Sequence, residues 1–386
     1  MDGGHGSGGK VTEPEVRMVT TAKPVKRLHV SAPGRVCLFG EHQDYLGLPV
    51  IPCAISLRIS IEGSRRSDSF VNLNLPDIKS HEGFSIEESH SYVRERDYYR
   101  SAMNVLKRKG FTFSTGFDCE VRSTIPINAG TSSSSALIVA WVNFLTQMSD
   151  RGSRLSPAEI ARYAHEAEVL EFKEPGGMMD HYSTAFGGIL ALDFHPEVRV
   201  EPIEADVKSF VLGDSGEPKD TKYVLAYVKN QVIEIVQRLS AKHANFSLHT
   251  ATLETLHELR NELNEEQFAL LVGTIRNRDI TVEARKIFRQ LPLDHRRIGA
   301  LLTEHQAILR DVLKISTPKI DRMIEFALKE GAYGGKINGS GGGGCMFVYA
   351  PEEPERVAGA LRRAGGTAYV VHPDEGVRND DGVVKK

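Results

Sequence analysis

Residues 126–136 read Pro-Ile-Asn-Ala-Gly-Thr-Ser-Ser-Ser-Ser-Ala. Small residues let a backbone approach an anion closely, and a helix N-terminus adds unpaired N–H groups and a positive dipole end. One Ser or Thr is enough to cap a core helix. Four consecutive serines therefore ask for more, and Asn128, Gly130, Thr131, Ser132, Ser133, Ser134 and Ser135 are candidates for holding a phosphate. A second stretch, 334–344, reads Gly-Gly-Lys-Ile-Asn-Gly-Ser-Gly-Gly-Gly-Gly. Gly339, Gly341 and Gly344 satisfy GxGxxG, but the run leads into an apolar strand rather than a helix, which rejects the dinucleotide fingerprint. Such a density of glycine implies close backbone approach to a ligand or to another loop. A third stretch, 32–47, delivers Arg35, Glu41, His42, Asp44 and Tyr45 around a short apolar strand between glycine turns. Those groups suit hydrogen bonds to several hydroxyls. In a fourth, a helix bearing Glu168 ends, and a Pro-Gly-Gly turn presents Asp180. An acid there either caps a helix or faces a hydroxyl nucleophile. Gly4–Lys10 imitates a Walker A loop, but Val11 stands at the Ser/Thr position and no strand precedes it.

The elements that must hold these residues are marked by period and punctuation. Leu28–Ser31, Val36–Phe39, Ile55–Ile61, Phe117–Thr124 and Gly188–Asp193 predict strands. Tyr98–Lys109, closed by Gly110, predicts a helix, as do Ser133–Gln147 and Pro157–Glu171. Ser133–Gln147 is apolar on both faces and predicts a buried helix, with Trp141 in its core. Beyond about residue 200 helices dominate: Lys222–Ala244, Thr252–Leu263, Glu265–Thr274, Ile298–Val312, Lys319–Gly331 and Pro354–Ala364, with strands at Cys345–Ala350 and Thr367–His372. The class is α+β.

The 386 residues imply about two domains. The division expected is a disordered leader over 1–28, domains over 29–200 and 201–372, and a polar tail over 373–386. A formal charge of −3 leaves no basic field for nucleic acid or an anionic membrane. The longest apolar run, Ala136–Leu145, is far short of a membrane span. The four cysteines form no CxxC pair, so reduced thiols and a cytoplasmic location are expected. Cys37, Cys345 and His181 are read as structural.

Taken in order over about residues 29–372, these stretches resemble the GHMP small-molecule kinase family. Residues 32–47 are similar to the galactokinase signature, residues 175–188 to the galactokinase segment carrying the catalytic Asp, and residues 305–345 to the family's C-terminal helices and third motif. The resemblance implies a two-domain GHMP kinase architecture, with a ribosomal-protein-S5-like N-terminal domain, a ferredoxin-like C-terminal domain and the site between them. It implies ATP with Mg²⁺ as donor and a sugar as acceptor. Matched position by position, it makes Asp180 and Arg35 catalytic, and Glu41, His42, Asp44 and Tyr45 sugar-binding. Gly130–Ser135, with Asn128, becomes the phosphate loop, and Ser134 and Glu168 the Mg²⁺ ligands. Gly341 lies in the third motif. A sugar-contacting Tyr from the C-terminal domain falls on Tyr223 or Tyr227.

The function implied is transfer of phosphate to the anomeric hydroxyl of galactose or a related monosaccharide, by a monomer or simple homo-oligomer. The chain has GTSSSSA in its second motif, GSGGGG in its third and Gly176 where galactokinases usually carry Cys. These departures leave open another sugar, another acceptor such as mevalonate or homoserine, or a non-catalytic ATP and sugar sensor on the same fold.

Overall fold

Pro33 and Gly34 bulge the first strand without ending it, so the two apolar pieces expected there form one strand, β1 (Arg27–Phe39). The computed structural model describes residues 25–87, 91–126, 130–218 and 221–380, with the backbone alone for 221–227. β2 (Ile51–Arg65), a hairpin of β3 (Phe70–Leu75) and β4 (Ser80–Ser85), and β5 (Phe117–Ser123) extend the sheet in the order β1-β2-β5-β3-β4. β6 (Ile189–Asp193) joins β2, and β7 (Arg199–Ile203) pairs β6. Of these pairings only β3–β5 is parallel. Four helices pack with this sheet: α1 (Tyr98–Arg108), α2 (Ser133–Gln147), α3 (Pro157–His165) and α4 (Met179–Phe186). α2 is apolar on both faces because it is covered on both. Trp141 is fully buried and stacks on Phe144 at 5.3 Å between ring centroids.

The second sheet is antiparallel. β8 (Phe210–Asp214), β9 (Gly334–Ile337), β10 (Cys345–Tyr349) and β11 (Thr367–Val371) lie in the order β11-β8-β10-β9. That is the ferredoxin-like order, with five helices inserted before β9: α5 (Thr221–Lys242), α6 (Leu253–Glu258), α7 (Glu265–Phe288), α8 (His295–Asp311) and α9 (Pro318–Lys329). α10 (Pro354–Arg363) precedes β11. α7 runs well past Thr274, where the sequence turns polar. Its Arg278 is buried, and its guanidinium donates to the Leu248 and Ala251 carbonyls at 2.6 and 2.8 Å.

Two boundaries need correction. Arg27 and Leu28 already belong to β1, and Leu28 is buried, so the leader ends earlier than expected. The expected polar tail returns to the first sheet: β12 (Arg378–Asn379) pairs β1, and Arg58 donates to Asp374 and to the Glu375 and Gly376 carbonyls. The Walker-like Gly4–Lys10 lies outside the described residues. All four cysteines are buried, and none is joined in a disulfide. Among the described residues no helix is long and apolar enough to cross a membrane.

Candidate functional site

Where β5 leaves the first sheet, the chain turns through Gly130 (φ 88°) and Ser132 (φ 57°) before α2 begins. A Cβ on Gly130 would lie 2.6 Å from the Asn338 carbonyl, and one on Gly339 would lie 2.7 Å from that of Gly130. The close approach implied by the glycine run is thus between two loops. Asn338 locks them: its Nδ2 donates to the Gly130 carbonyl and its Oδ1 accepts from the Cys37 N–H, both at 2.8 Å. Arg35 Nη1 donates to the same Gly130 carbonyl at 2.7 Å.

Asp180 stands in the first turn of α4. Arg35 grips it with both arms of a fork, Nε to Oδ1 at 2.8 Å and Nη2 to Oδ2 at 2.9 Å, and Ser132 Oγ donates to Oδ2 at 2.6 Å. Burial alone would raise the Asp180 carboxyl, but the Arg35 charge and the bonds from Ser132 and Arg35 hold it below the usual range. Burial likewise opposes the charge on Arg35, and Asp180, then Glu41, outweigh it and raise the guanidinium.

Asp44 opens a 3₁₀ turn, Asp44–Leu46, and accepts from the N–H groups of Tyr45 at 2.9 Å and Met179 at 3.3 Å. Burial, then the nearby Asp180 charge, push its carboxyl up to about 6. His42 Nδ1 meets the Tyr45 hydroxyl at 2.9 Å and Nε2 the Ser340 carbonyl at 3.0 Å, and burial lowers its pKa. Glu41 is 2% exposed and bonded to Lys336 Nζ at 2.8 Å. Glu168 sits in a π-helical turn, Glu166–Leu170, a local irregularity that re-aims a side chain. The sequence had given this turn as the end of one continuous helix. Glu168 Oε2 lies 2.8 Å from His181 Nε2.

These groups line one cavity of about 350 Å³. Its wall includes Arg35, Glu41, His42, Asp44, Tyr45, Gly130, Ser132 to Ser135, Glu168 and Asp180.

The GHMP kinases N-terminal domain matches residues 97–188, the GHMP kinases C-terminal domain residues 284–367, and the galactokinase galactose-binding signature residues 21–65. Galactokinase of Homo sapiens is 30% identical over 366 residues, covering 88% of each chain. The chain belongs to the GHMP kinase family. Members of this family are ATP-dependent phosphotransferases acting on hydroxyl groups. Mevalonate kinase of Pyrococcus furiosus is 29% identical over 350 residues, covering 88% of this chain and 94% of its own. Among solved structures, Lactococcus lactis galactokinase complexed with galactose superposes with a TM-score of 0.81 at 21% identity, covering 92% of this GHMP kinase and 95% of the other chain. Methanococcus jannaschii mevalonate kinase gives 0.69 at 22% identity, covering 92% and 100%.

Two expectations fall elsewhere in this GHMP kinase. Gly341 does not line the cavity: its φ of 86° and the 2.6 Å from its would-be Cβ to Ile315 set it against the segment after α8. Thr131 is 1% exposed and also outside the lining, and its carbonyl accepts from the Arg35 N–H at 3.2 Å. Asn128, and the side chains of Tyr223 and Tyr227, lie outside the described residues. Other wall residues carried no signal in the sequence. Arg96 pairs with Glu174 through two bonds of 3.0 Å, and Tyr98 stands beside Ser134. Lys229 of α5 donates to the Pro175 carbonyl at 3.1 Å with its ammonium 5.4 Å from the Tyr45 ring centroid, a contact from the second sheet's helices onto the site.

Proposed function

We propose that this chain is a sugar kinase that transfers the γ-phosphoryl group of ATP to the anomeric hydroxyl of galactose or a closely related monosaccharide. The observation that carries the reading is Asp180, half-buried and triply hydrogen-bonded by Arg35 and Ser132 on the same cavity wall as Glu41, His42 and Asp44. The galactokinase galactose-binding signature over residues 21–65 supports it.

In this reading the hydroxyl approaches Asp180. Phosphoryl transfer depends on alignment and on neutralising charge at the moving group. With its pKa lowered, Asp180 acts first as an orienting acceptor for the sugar hydroxyl proton, and takes that proton as the hydroxyl acidifies during transfer. Arg35 offsets the negative charge of that step. The loop from Gly130 to Ser135 receives the phosphates at the N-terminus of α2. The hydroxyl of Ser134 and the carboxylate of Glu168 line one cavity, and such oxygen donors suit a hard cation that keeps phosphate and water ligands. They would hold Mg²⁺, which when bound supplies charge neutralisation on the phosphates. The buried thiols, none in a disulfide, support a cytoplasmic setting.

The mevalonate kinase relatives keep a second acceptor in view. Mevalonate carries a carboxylate and would need a cation to meet it. Arg35 and Arg96 on the cavity wall are each already paired with an acid, which favours a neutral polyol. ADP release from Mg²⁺–ATP across free sugars, mevalonate and homoserine tests the reading. Turnover with galactose or an epimer is expected. Turnover confined to mevalonate would replace the sugar reading, and sugar-dependent thermal stabilisation without ADP would make the chain a sensor.

A further inference from the structure

Lys336 is 0% exposed, on β9, and it does not line the cavity. Its ammonium donates to Glu41 Oε2 at 2.8 Å and to the Ile337 carbonyl at 2.7 Å, and it stands 5.1 Å from the Phe347 ring centroid. Glu41, its partner, is 295 residues earlier in the chain. β9 reaches this position because it presses onto α8 with no side chain between: a Cβ on Gly334 would lie 1.7 Å from the Gly299 carbonyl. A buried ion pair of this kind is poor value for stability. Desolvating both charges offsets most of their attraction, and well-packed apolar pairs often do as well or better. What the pair does supply is orientation. Lys336 occupies one carboxylate oxygen of Glu41 and fixes the plane of the other on a cavity wall.

We infer that Lys336 is a positioning residue for the acceptor: it never touches the acceptor, and holds Glu41 so that the remaining carboxylate oxygen accepts from one acceptor hydroxyl. The inference rests on the reading of Glu41 as an acceptor contact. A Lys held this way makes Glu41 rigid, so the site discriminates by where a hydroxyl stands as well as by whether one is present.

A double-mutant cycle tests it with Lys336→Met, Glu41→Gln and the two together, reading acceptor KM and ATP KM separately. Lys336→Met should raise acceptor KM by about tenfold or more, the worth of a charge-assisted hydrogen bond, and leave ATP KM unchanged. Glu41→Gln should raise acceptor KM comparably. The double variant should match Glu41→Gln, because Lys336 has nothing further to act through. Additive losses in the double variant, or an equal rise in ATP KM, would overturn the inference by making Lys336 a general structural residue. Should Lys336→Met misfold because Glu41 is left unpaired, comparison of the double variant with Glu41→Gln still decides. Wild-type turnover of mevalonate in place of galactose would sink the sugar reading alone, and the cycle is then read on mevalonate KM. An unchanged acceptor KM in Glu41→Gln would sink this inference and leave the sugar reading standing.

Discussion

Asp180 and Asp44 are two half-buried carboxylates on one wall, and their surroundings drive their pKa values apart. Asp180 is gripped by Arg35 and Ser132 and lies below its ordinary range, whereas Asp44 is met, among the described residues, by the backbone N–H groups of Tyr45 and Met179 and rises to about 6. Asp180→Asn should lower kcat by about two to four decades, the usual size of a general-base effect, with ATP KM little changed. Its thermal midpoint should also fall, because Arg35 loses its closest counter-charge while buried. Near-normal turnover in that variant would exclude Asp180 from catalysis. Asp44 makes the opposite prediction for stability. Its folded pKa lies above the unfolded value of 3.8, so stability declines as pH rises from about 4 to 6 and stays lower above that. The cost at pH 8 is on the order of 3 kcal/mol, at about 1.4 kcal/mol per pKa unit. Asp44→Asn should therefore melt higher than wild type at pH 8, with the difference gone near pH 4, and should raise acceptor KM. In the wild type, acceptor KM should climb as pH falls through 6. A flat acceptor KM between pH 5 and 8 would remove Asp44 from the acceptor subsite.

At the scale of elements, the site is a contact between loops that the sequence presents far apart. Gly339→Ala would drive a Cβ to 2.7 Å from the Gly130 carbonyl at a φ of 81°. A cost of about 1–3 kcal/mol, together with a displaced phosphate loop, should lower the thermal midpoint and raise ATP KM several-fold, with acceptor KM less affected. An unchanged ATP KM would mean that this contact does not shape the nucleotide subsite. Helix α2 was legible to the residue, because serines mark its start and apolar residues fill both faces. Arg35, Glu41, Asp44 and Asp180 were legible as candidates because charged residues at glycine turns stand out, whereas Glu168, inside a helical stretch, was reached only through the family resemblance. Lys336 was not, since one Lys in a glycine run carries no sign of burial, and its partner is 295 residues away. The β3–β4 hairpin was missed because the β4 segment Ser-His-Glu-Gly-Phe-Ser carries little apolar alternation. α4 was missed because its Pro-Gly-Gly entry reads as a turn. α7 was cut short because Arg278 is a buried polar residue, satisfied by carbonyls that only the tertiary structure brings to it.

The whole molecule is two sheets, and the chain visits the first of them twice. Residues 373–380 bring β12 to β1 and supply three partners to Arg58. Ending the chain after His372 should cost roughly 3 kcal/mol in lost hydrogen bonds, or about 4 °C in thermal midpoint at this size, with ADP release retained below the new midpoint. An unaltered midpoint would show β12 to be an ornament of the sheet. The first motif is likewise completed from the far end: Glu41 by Lys336, His42 by the Ser340 carbonyl, and the Cys37 N–H by Asn338. A ribosome adding about 5–20 residues per second makes Glu41 roughly 15–60 seconds before it makes Lys336. For that interval the nascent protein carries Glu41 without its ion-pair partner. The first motif is complete only once Lys336 and Asn338 have been made, so a chain ended before them should release no ADP, whereas one ended after His372 still should.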